Sequence, residues 1–351
     1  MKLPKLKVIR FKSIKANLIF SFTSLLLLSS VLLGSLSLLF ANRTLREEAE
    51  KSVTALAIEA AKLEASRLET RKATLETIAS IKEIEEMNWD KQEAILFKML
   101  EDTDFNLLGI LQMDGTVQYT NGRITTLSED DPLRSALHGD NNAINFSNST
   151  GEIVLVQAVP IEVNGTIVGA VVGLTDGIAL TETVLDMGYG KEGYGYILNE
   201  NGTVIAHPNT DFVYNQKNSI EDAKSNSSEV EVAKVLEKII SSEQGIENYE
   251  YNNEVLYAGY ATIEGTDWTF VITCTEAEVL AALPALQKII ITTVVIIIVL
   301  GIIISYIIGS FIAKPIILSS KNMARLAELD ISKDIDPKYL KKQNEIGIMT
   351  N

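Results

Sequence analysis

Apolar and polar positions follow different periods along this chain, and each period marks a different kind of segment. Two stretches have no polar period at all. Residues 17–41, "NLIFSFTSLLLLSSVLLGSLSLLFA", and residues 289–313, "IIITTVVIIIVLGIIISYIIGSFIA", contain no charge. Each is about 25 residues long, enough for a helix to cross a ~30 Å hydrocarbon layer, which takes roughly 20. The competing reading, a buried core helix, does not fit that length. The first run also exceeds the ~7–15 apolar residues of a signal peptide, and no small-x-small cleavage site follows it, so it is expected to remain as an anchor. Residues 42–86 have a helical period instead. They contain no Gly or Pro, and Leu45, Ala49, Val53, Leu56, Ala60 and Leu63 recur at three- or four-residue steps. Such a stripe either seams a homodimer or packs on its own chain. "MNWD" then breaks the pattern, and Asn88 or Asp90 can cap a short helix over residues 91–100.

From Leu107 the period changes to that of strands. "LLGILQMDGTVQYT" is two apolar-rich runs around Asp114-Gly115, a hairpin signal. Strands are predicted at 143–147, 152–160 and 166–174, the last two joined by "VNG". Between the hairpin and these strands, "DPLRSALHGD" predicts a short helix with Pro132 in its first turn and Gly139 past its end. A helix over 177–187 follows. Then the order repeats. "ILQMDGTV" at 110–117 returns as "ILNENGTV" at 197–204, a second hairpin around Asn201-Gly202. A polar stretch, a helix over 229–241 and strands at 246–251, 255–262 and 268–275 complete the second half. One five-stranded α+β module is therefore written twice.

Charge changes the picture in two ways. The chain carries 31 Lys and Arg against 46 Asp and Glu, a formal charge of −15. That balance excludes nucleic acid, whose phosphates need basic partners. The bases are also unevenly placed. Lys2, Lys5, Lys7, Arg10, Lys12 and Lys15 crowd the first fifteen residues without an acid, which puts that end in the cytoplasm by the positive-inside rule. Two spans return Lys314, Lys321 and Arg325 to the same side and leave residues 42–287 outside. That segment has 41 acids and 17 bases. Its single cysteine, Cys274, cannot form an internal disulfide, so the external segment must be held by its core, and Cys274 reads as a small buried hydrophobe.

Catalytic chemistry finds little support. Gly188-x-Gly190-x-x-Gly193 spells a dinucleotide fingerprint, but a helix precedes it and a strand follows, the reverse of the order that motif needs. The glycines read as a connection between modules. His138 and His207 lie in different halves with no cysteine nearby, so metal-ligand spacing is missing, and His207 reads as a residue closing its hairpin. No nucleophile elbow or zincin helix occurs. Asn164 and Asn201, each in an N-x-T triplet, read as turn residues. No enzyme site, cofactor or metal is expected, which leaves the binding of a small molecule.

The constellation resembles a double Cache domain, the external sensor of many bacterial receptors. The resemblance covers roughly residues 41–286 and is carried by "GYGYILNENGTVIAHPN" at 193–209 and "VQAVPIEVNGTIVGAVVGLTDG" at 156–177. Beyond the second span the chain resembles a HAMP linker: Pro315, "RLAELD" at 325–330 and "NEIG" at 344–347, with Leu329 where the family usually has Gly. A second HAMP helix would start near Glu345, so a partial HAMP is expected. The resemblance implies an α+β fold of two tandem PAS-like modules on a long N-terminal helix, flanked by two transmembrane helices and a partial HAMP helix. The expected divisions are a basic cytoplasmic end (1–16), a span (17–41), the external domain (42–287), a second span (288–313) and the HAMP part (314–351). Within the external domain, 42–88 is the long helix, 89–180 the distal module and 181–287 the proximal one.

The resemblance implies a function as well: a two-span sensor in a bacterial cell membrane, with the Cache domain extracellular and both termini cytoplasmic. It would act as a homodimer joined along Leu45–Leu63 and pass ligand binding through the second span to HAMP. A chemoreceptor for chemotaxis is the leading expectation. The alternatives are the sensor part of a diguanylate cyclase or histidine kinase, or a membrane binding protein that does not signal. The resemblance places the pocket in the distal module, between sheet and helical insert. Many amino-acid-sensing relatives carry an Arg-x-Trp-Tyr segment there, where Arg grips a carboxylate. This chain has Asp131-Pro132-Leu133 in that place, and its acidity favours a cationic or neutral ligand. The candidate pocket residues are Tyr119, Arg123, Asp131, Gln157 and Asp176.

Overall fold

The computed structural model describes residues 13–147, 153–251 and 254–329. They fall into two units, one of residues 45–281 and one from the described parts of 1–44 and 282–351. The chain begins with α1 (Ile14–Ala79), α2 (Lys82–Glu85) and α3 (Trp89–Glu101). The predicted helix over 42–86 is thus the later part of α1. It is continuous with the first apolar run because no helix breaker separates them, and it stops seven residues earlier than its composition suggested.

The first module then builds β1 (Leu107–Gln112), β2 (Thr116–Tyr119) and β3 (Ile124–Thr126). A 3-10 helix (Pro132–His138) leads to β4 (Ala143–Ser147), β5 (Val154–Val163) and β6 (Thr166–Asp176). After α4 (Ile178–Leu185), the second module builds β7 (Tyr194–Leu198), β8 (Val204–Ala206), α5 (Thr210–Tyr214), α6 (Ser219–Asp222) and α7 (Val230–Ile240). It ends with β9 (Gln244–Tyr251), β10 (Glu254–Thr262), β11 (Thr269–Thr275) and α8 (Glu276–Val279). The two sheets are ordered β3-β2-β1-β6-β5-β4 and β8-β7-β11-β10-β9, with antiparallel neighbours throughout. In each, the hairpin's first strand pairs with the module's last strand. The repeat in the sequence is therefore a repeat of topology.

Local chemistry explains the turns. Asp114 Oδ1 accepts from the Thr116 N–H at 2.8 Å while Gly115 takes a φ of 85°. Asn199 Oδ1 accepts from the Asn201 and Thr203 N–H groups at 3.0 and 2.9 Å, and Gly202 has a φ of 79°. The insert of the first module opens as predicted: Asp131 Oδ1 accepts from Leu133 N–H at 3.0 Å, and Gly139 ends it at φ 97°. The polar stretch before α7 holds two short helices that were not expected, α5 and α6, and two strands also differ from expectation. The first sheet has a sixth strand, β3, which is three residues long and mostly exposed, so it carries no readable period. It exists because β2 offers it a free edge. β5 also runs past Pro160, which lies beyond the last β4 partner, Ala158↔Ala143, where one side of the strand has no neighbour to receive an N–H.

Both sheets are covered on both faces, which is why "VGAVVGL" reads as a continuous apolar run rather than an alternating one. On one face lies α1. Ala49, Val53, Ala57, Ala60 and Ala61 pack into the second sheet with Tyr257, Phe270 and Ile272. Further along, Leu75 and Ile78 pack into the first sheet with Leu108, Ile110, Val159 and Val171. The contact is close. A Cβ on Gly259 would lie 2.7 Å from the Val53 carbonyl carbon. Gln157 Nε2 donates to the Leu68 carbonyl at 3.1 Å, and Arg46 binds the Tyr257 hydroxyl at 2.7 Å and pairs with the Glu276 carboxylate. The stripe predicted from sequence therefore divides: Ala49, Val53 and Ala60 are buried in their own chain, while Leu56 and Leu63 remain 37% exposed.

In the other unit, the N-terminal part of α1 lies beside α9 (Leu283–Ala327). A Cβ on Gly34 would meet Val294 at 3.4 Å, one on Gly301 would meet Leu26 at 2.7 Å, and Lys15 Nζ sits 4.0 Å from the Tyr306 ring centre. Most remaining apolar side chains here, among them Leu28, Phe40, Ile289 and Phe311, are exposed. Both segments are long and apolar enough to cross a membrane. Leu329 adopts a φ of 61°, the left-handed conformation that favours glycine, at the position where the HAMP resemblance expects one. Asp330 and Asn344–Gly347, the rest of that resemblance, lie outside the described residues.

Gly259→Val tests the helix contact. Overpacking a closed interior costs about 1–3 kcal/mol, so the purified chain in detergent should melt roughly 2–10 °C lower, followed by Trp fluorescence. An unchanged melting temperature would mean that α1 does not press on β10.

Candidate ligand-binding site

The face of the first sheet opposite α1 meets the 3-10 helix. There Leu111, Val117, Leu133, Ala136 and Val172 close a core. Toward the end of the sheet this core opens into a cavity of about 760 Å3. That is within the ~300–1,000 Å3 of ordinary small-molecule sites. Leu107, Val154, Val156 and Leu174 give it an apolar floor, and Asn106, Asn121, Ser128, Asn145 and Thr175 add polar groups.

Four of the five sequence candidates come together here. Tyr119, Arg123, Asp131 and Asp176 all line the cavity. Burial pushes the Tyr119 phenol upward, Arg123 opposes that shift and Asp131 adds to it. Each aspartate spends one oxygen on the backbone. Asp131 Oδ1 caps the 3-10 helix at Leu133 N–H, and Asp176 Oδ1 accepts from Ile178 N–H at 2.9 Å. Asn145 Nδ2 reaches Asp131 Oδ1 at 3.4 Å, and Asn106 Oδ1 accepts from Asp176 N–H at 3.0 Å. Both carboxylates are thus fixed in orientation at the cavity wall.

Gln157 is a correction. Strand side chains alternate between faces, so Val154 and Val156 look into the cavity while Leu155 and Gln157 look toward α1. Its amide is spent on the Leu68 carbonyl. The period-two pattern of "VLVQ" held that information, because Gln157 shares a face with Leu155. Other lining residues were missed for different reasons. Asn106 directly precedes β1 and could have been found from the hairpin. Tyr214 belongs to α5 of the second module, so only the tertiary arrangement brings it to the first module's cavity.

The second module has a cavity in the equivalent place, between its sheet and α5–α7, of only about 60 Å3. Matching the two hairpins sets Leu107 against Tyr194 and Gly109 against Tyr196. In the first module the Tyr119 ring takes the place over Gly109, and its match is Ala206; in the second, Tyr194 and Tyr196 line the small cavity. His207 joins them, with its ring centre 5.1 Å from Tyr194, 5.9 Å from Tyr196 and 4.7 Å from Phe212. Its Nδ1 accepts from Asn209 N–H at 2.9 Å, in the turn that leads from β8 into α5, and burial pushes its pKa down to about 4. The glycines of the apparent dinucleotide fingerprint lie between α4 and β7. A Cβ on Gly193 would sit 2.7 Å from the Thr273 carbonyl oxygen, so close packing accounts for that residue. Among the described residues, no three His, Cys, Asp or Glu side chains gather as a metal site.

Two tandem antiparallel sheets carried on one helix, with a cavity between sheet and insert, define a sensor-type binding domain. Residues 41–283 match the Cache domain family, dCache_1, and the chain belongs to it. No curated protein matches the chain in sequence. Solved structures share the fold. The ligand-binding domain of the Pseudomonas fluorescens chemoreceptor CtaA, in complex with L-isoleucine, aligns with a TM-score of 0.52 at 15% identity, covering 69% of this chain and 98% of that one. The Campylobacter jejuni chemoreceptor Tlp3 with L-norvaline gives 0.51 at 14%, covering 67% and 94%. The extracellular domain of mmHK1S-Z2, assigned as a histidine kinase, gives 0.54 at 13%, covering 68% and 99%.

The His207 environment predicts a pH dependence. The folded state holds the ring neutral down to about pH 4, whereas the unfolded chain takes up a proton near 6.5. The unfolded state therefore binds more protons in that window, and stability falls as the pH drops from about 6.5 to about 4, by up to roughly 3 kcal/mol. His207→Phe should flatten the melting temperature of the purified chain across that range; an unchanged slope would contradict the assignment.

Proposed function

We propose that the chain is a two-span bacterial membrane sensor whose distal, first module binds a small extracellular solute. The observation that carries this reading is the 760 Å3 cavity with two oriented aspartates and Arg123 at its wall. The chemoreceptor neighbours that hold L-isoleucine and L-norvaline support an amino-acid-sized ligand. The exposed apolar surfaces of the N-terminal segment and α9 support the membrane placement, since such faces need apolar surroundings. The basic first fifteen residues support cytoplasmic termini.

The mechanism rests on which elements touch the cavity. Tyr214 and Ile178 belong to the second module and its connecting helix, yet they line the first module's cavity beside Asp176. A ligand there contacts both modules at once. It favours the arrangement in which those contacts are best, and shifts the population only by that difference in affinity. The α8–α9 segment continues directly from β11, so a changed second module has a covalent route to the second span and the HAMP-like segment. Chemotaxis receptor is the first reading of the output. The fold likeness to a histidine kinase's extracellular domain keeps a kinase sensor as the second.

The binding reading is tested by titrating the chain, in nanodiscs, with the twenty amino acids and small amines by calorimetry. Asp131→Asn and Asp176→Asn keep the helix caps but remove the charge, and each should weaken the best ligand about tenfold or more. Gln157→Ala should leave affinity unchanged. Full affinity in both aspartate variants would exclude this cavity as the site. For the homodimer, Leu56→Cys and Leu63→Cys probe the exposed half of the α1 stripe, with the buried native Cys274 as a silent background. Oxidation in membranes should trap cross-linked dimers through both positions, and monomer alone would remove the seam.

A further inference from the structure

The small cavity of the second module is walled largely by rings. Tyr196 and Tyr249 are buried, at 6% and 8% exposure, and form its closed side. Tyr194, Phe212 and Tyr251 are half-buried, so the cavity is not sealed from solvent. The His207 ring fits among them, in contact with Tyr194, Tyr196 and Phe212. Aromatic faces carry negative potential and attract cations, most strongly where water is excluded.

Charge around the cavity points the same way. Among its lining residues Lys217 carries the formal charge, and it is already held by Asp222 Oδ2 at 2.5 Å and Glu229 Oε1 at 3.3 Å. Two carboxylates answer one ammonium there. An anionic ligand would have to compete with both, whereas a cation would meet a net negative surrounding. Size narrows the choice further. At ~10–15 Å3 for each water-sized group, 60 Å3 holds about four or five heavy atoms. A methylated ammonium group has that size, and its charge is spread over an apolar surface that ring faces accept without hydrogen bonds.

We propose that the second module holds a ligand site of its own: an aromatic cage for a small alkylammonium cation, formed by Tyr194, Tyr196, Phe212, Tyr249 and Tyr251. It is separate from the cavity of the first module and would let one receptor read two solutes.

The test uses tetramethylammonium with the full chain in nanodiscs, followed by ligand-observed NMR and calorimetry. Binding should saturate, and tert-butanol, its neutral counterpart in shape, and acetate should both bind about tenfold more weakly or less. Tyr196→Leu and Tyr251→Leu should each weaken tetramethylammonium about fivefold or more, while Tyr196→Phe, which keeps the ring face, should stay within about twofold. Tyr251 is half-buried at the rim, so its variant decides the matter if Tyr196→Leu does not fold by circular dichroism. The Asp131→Asn, Asp176→Asn double variant should bind tetramethylammonium as before. Four results would overturn the proposal. They are absence of saturable binding by the folded chain, tert-butanol binding as tightly, a preference for acetate, and loss of binding in the aspartate double variant but not in Tyr251→Leu.

Discussion

The domain depends on the contact between one helix and two sheets. Neither sheet can bury its helix-side face alone, and α1 covers both. It does so with alanines at one end, where Ala49, Ala57, Ala60 and Ala61 let the helix backbone approach the second sheet, and with Leu75 and Ile78 at the other. Gly259 completes the fit by having no side chain at the point of closest approach. The sheet faces turned away from α1 are then free to meet the inserts, and the cavities form there. With no disulfide available to a single cysteine, the two modules are held as one unit by this packing and by direct contacts between them, such as Phe146 against Trp268.

Duplication makes the difference between the modules easy to see. Five strands pair in the same order in both halves, and matched residues share a facing: Leu111 and Leu198 occupy matched insert-side positions, as do Val117 and Val204. The differences are the extra strand β3, the inserts, and matched pairs such as Leu107 with Tyr194 and Tyr119 with Ala206. The first module holds a cavity of about 760 Å3 and the second one of about 60 Å3. Inserts and side chains together thus set what size of molecule each module can take.

Much of this was legible in the sequence, and the parts that were not have physical reasons. The repeated hairpins, the insert over 131–139 and the succession of strands along the chain could be read because turn residues and periodicity act locally. Four of the five pocket candidates lie together because each sits beside a turn or an element end, where polar residues need a reason to be. Gln157 was misplaced because a polar residue inside an apolar strand draws the eye before its face does. β3 escaped because three mostly exposed residues held by a neighbour's free edge show no period. Tyr214 escaped because its part in the cavity depends on how two modules meet, which no local pattern encodes. The division of the α1 stripe belongs to the same class: spacing shows a face but not what covers it.

The central claim is that a solute in the first cavity is felt by both modules. Hydrogen exchange of the full chain in nanodiscs, with and without a pool of the twenty amino acids, tests it most directly. The account predicts slowed exchange in β1, β2 and the 3-10 helix together with α5, because Tyr214 closes on the same cavity. Protection confined to the first module would mean that the ligand is held but not read, and binding heat without protection at the cavity would place the site elsewhere.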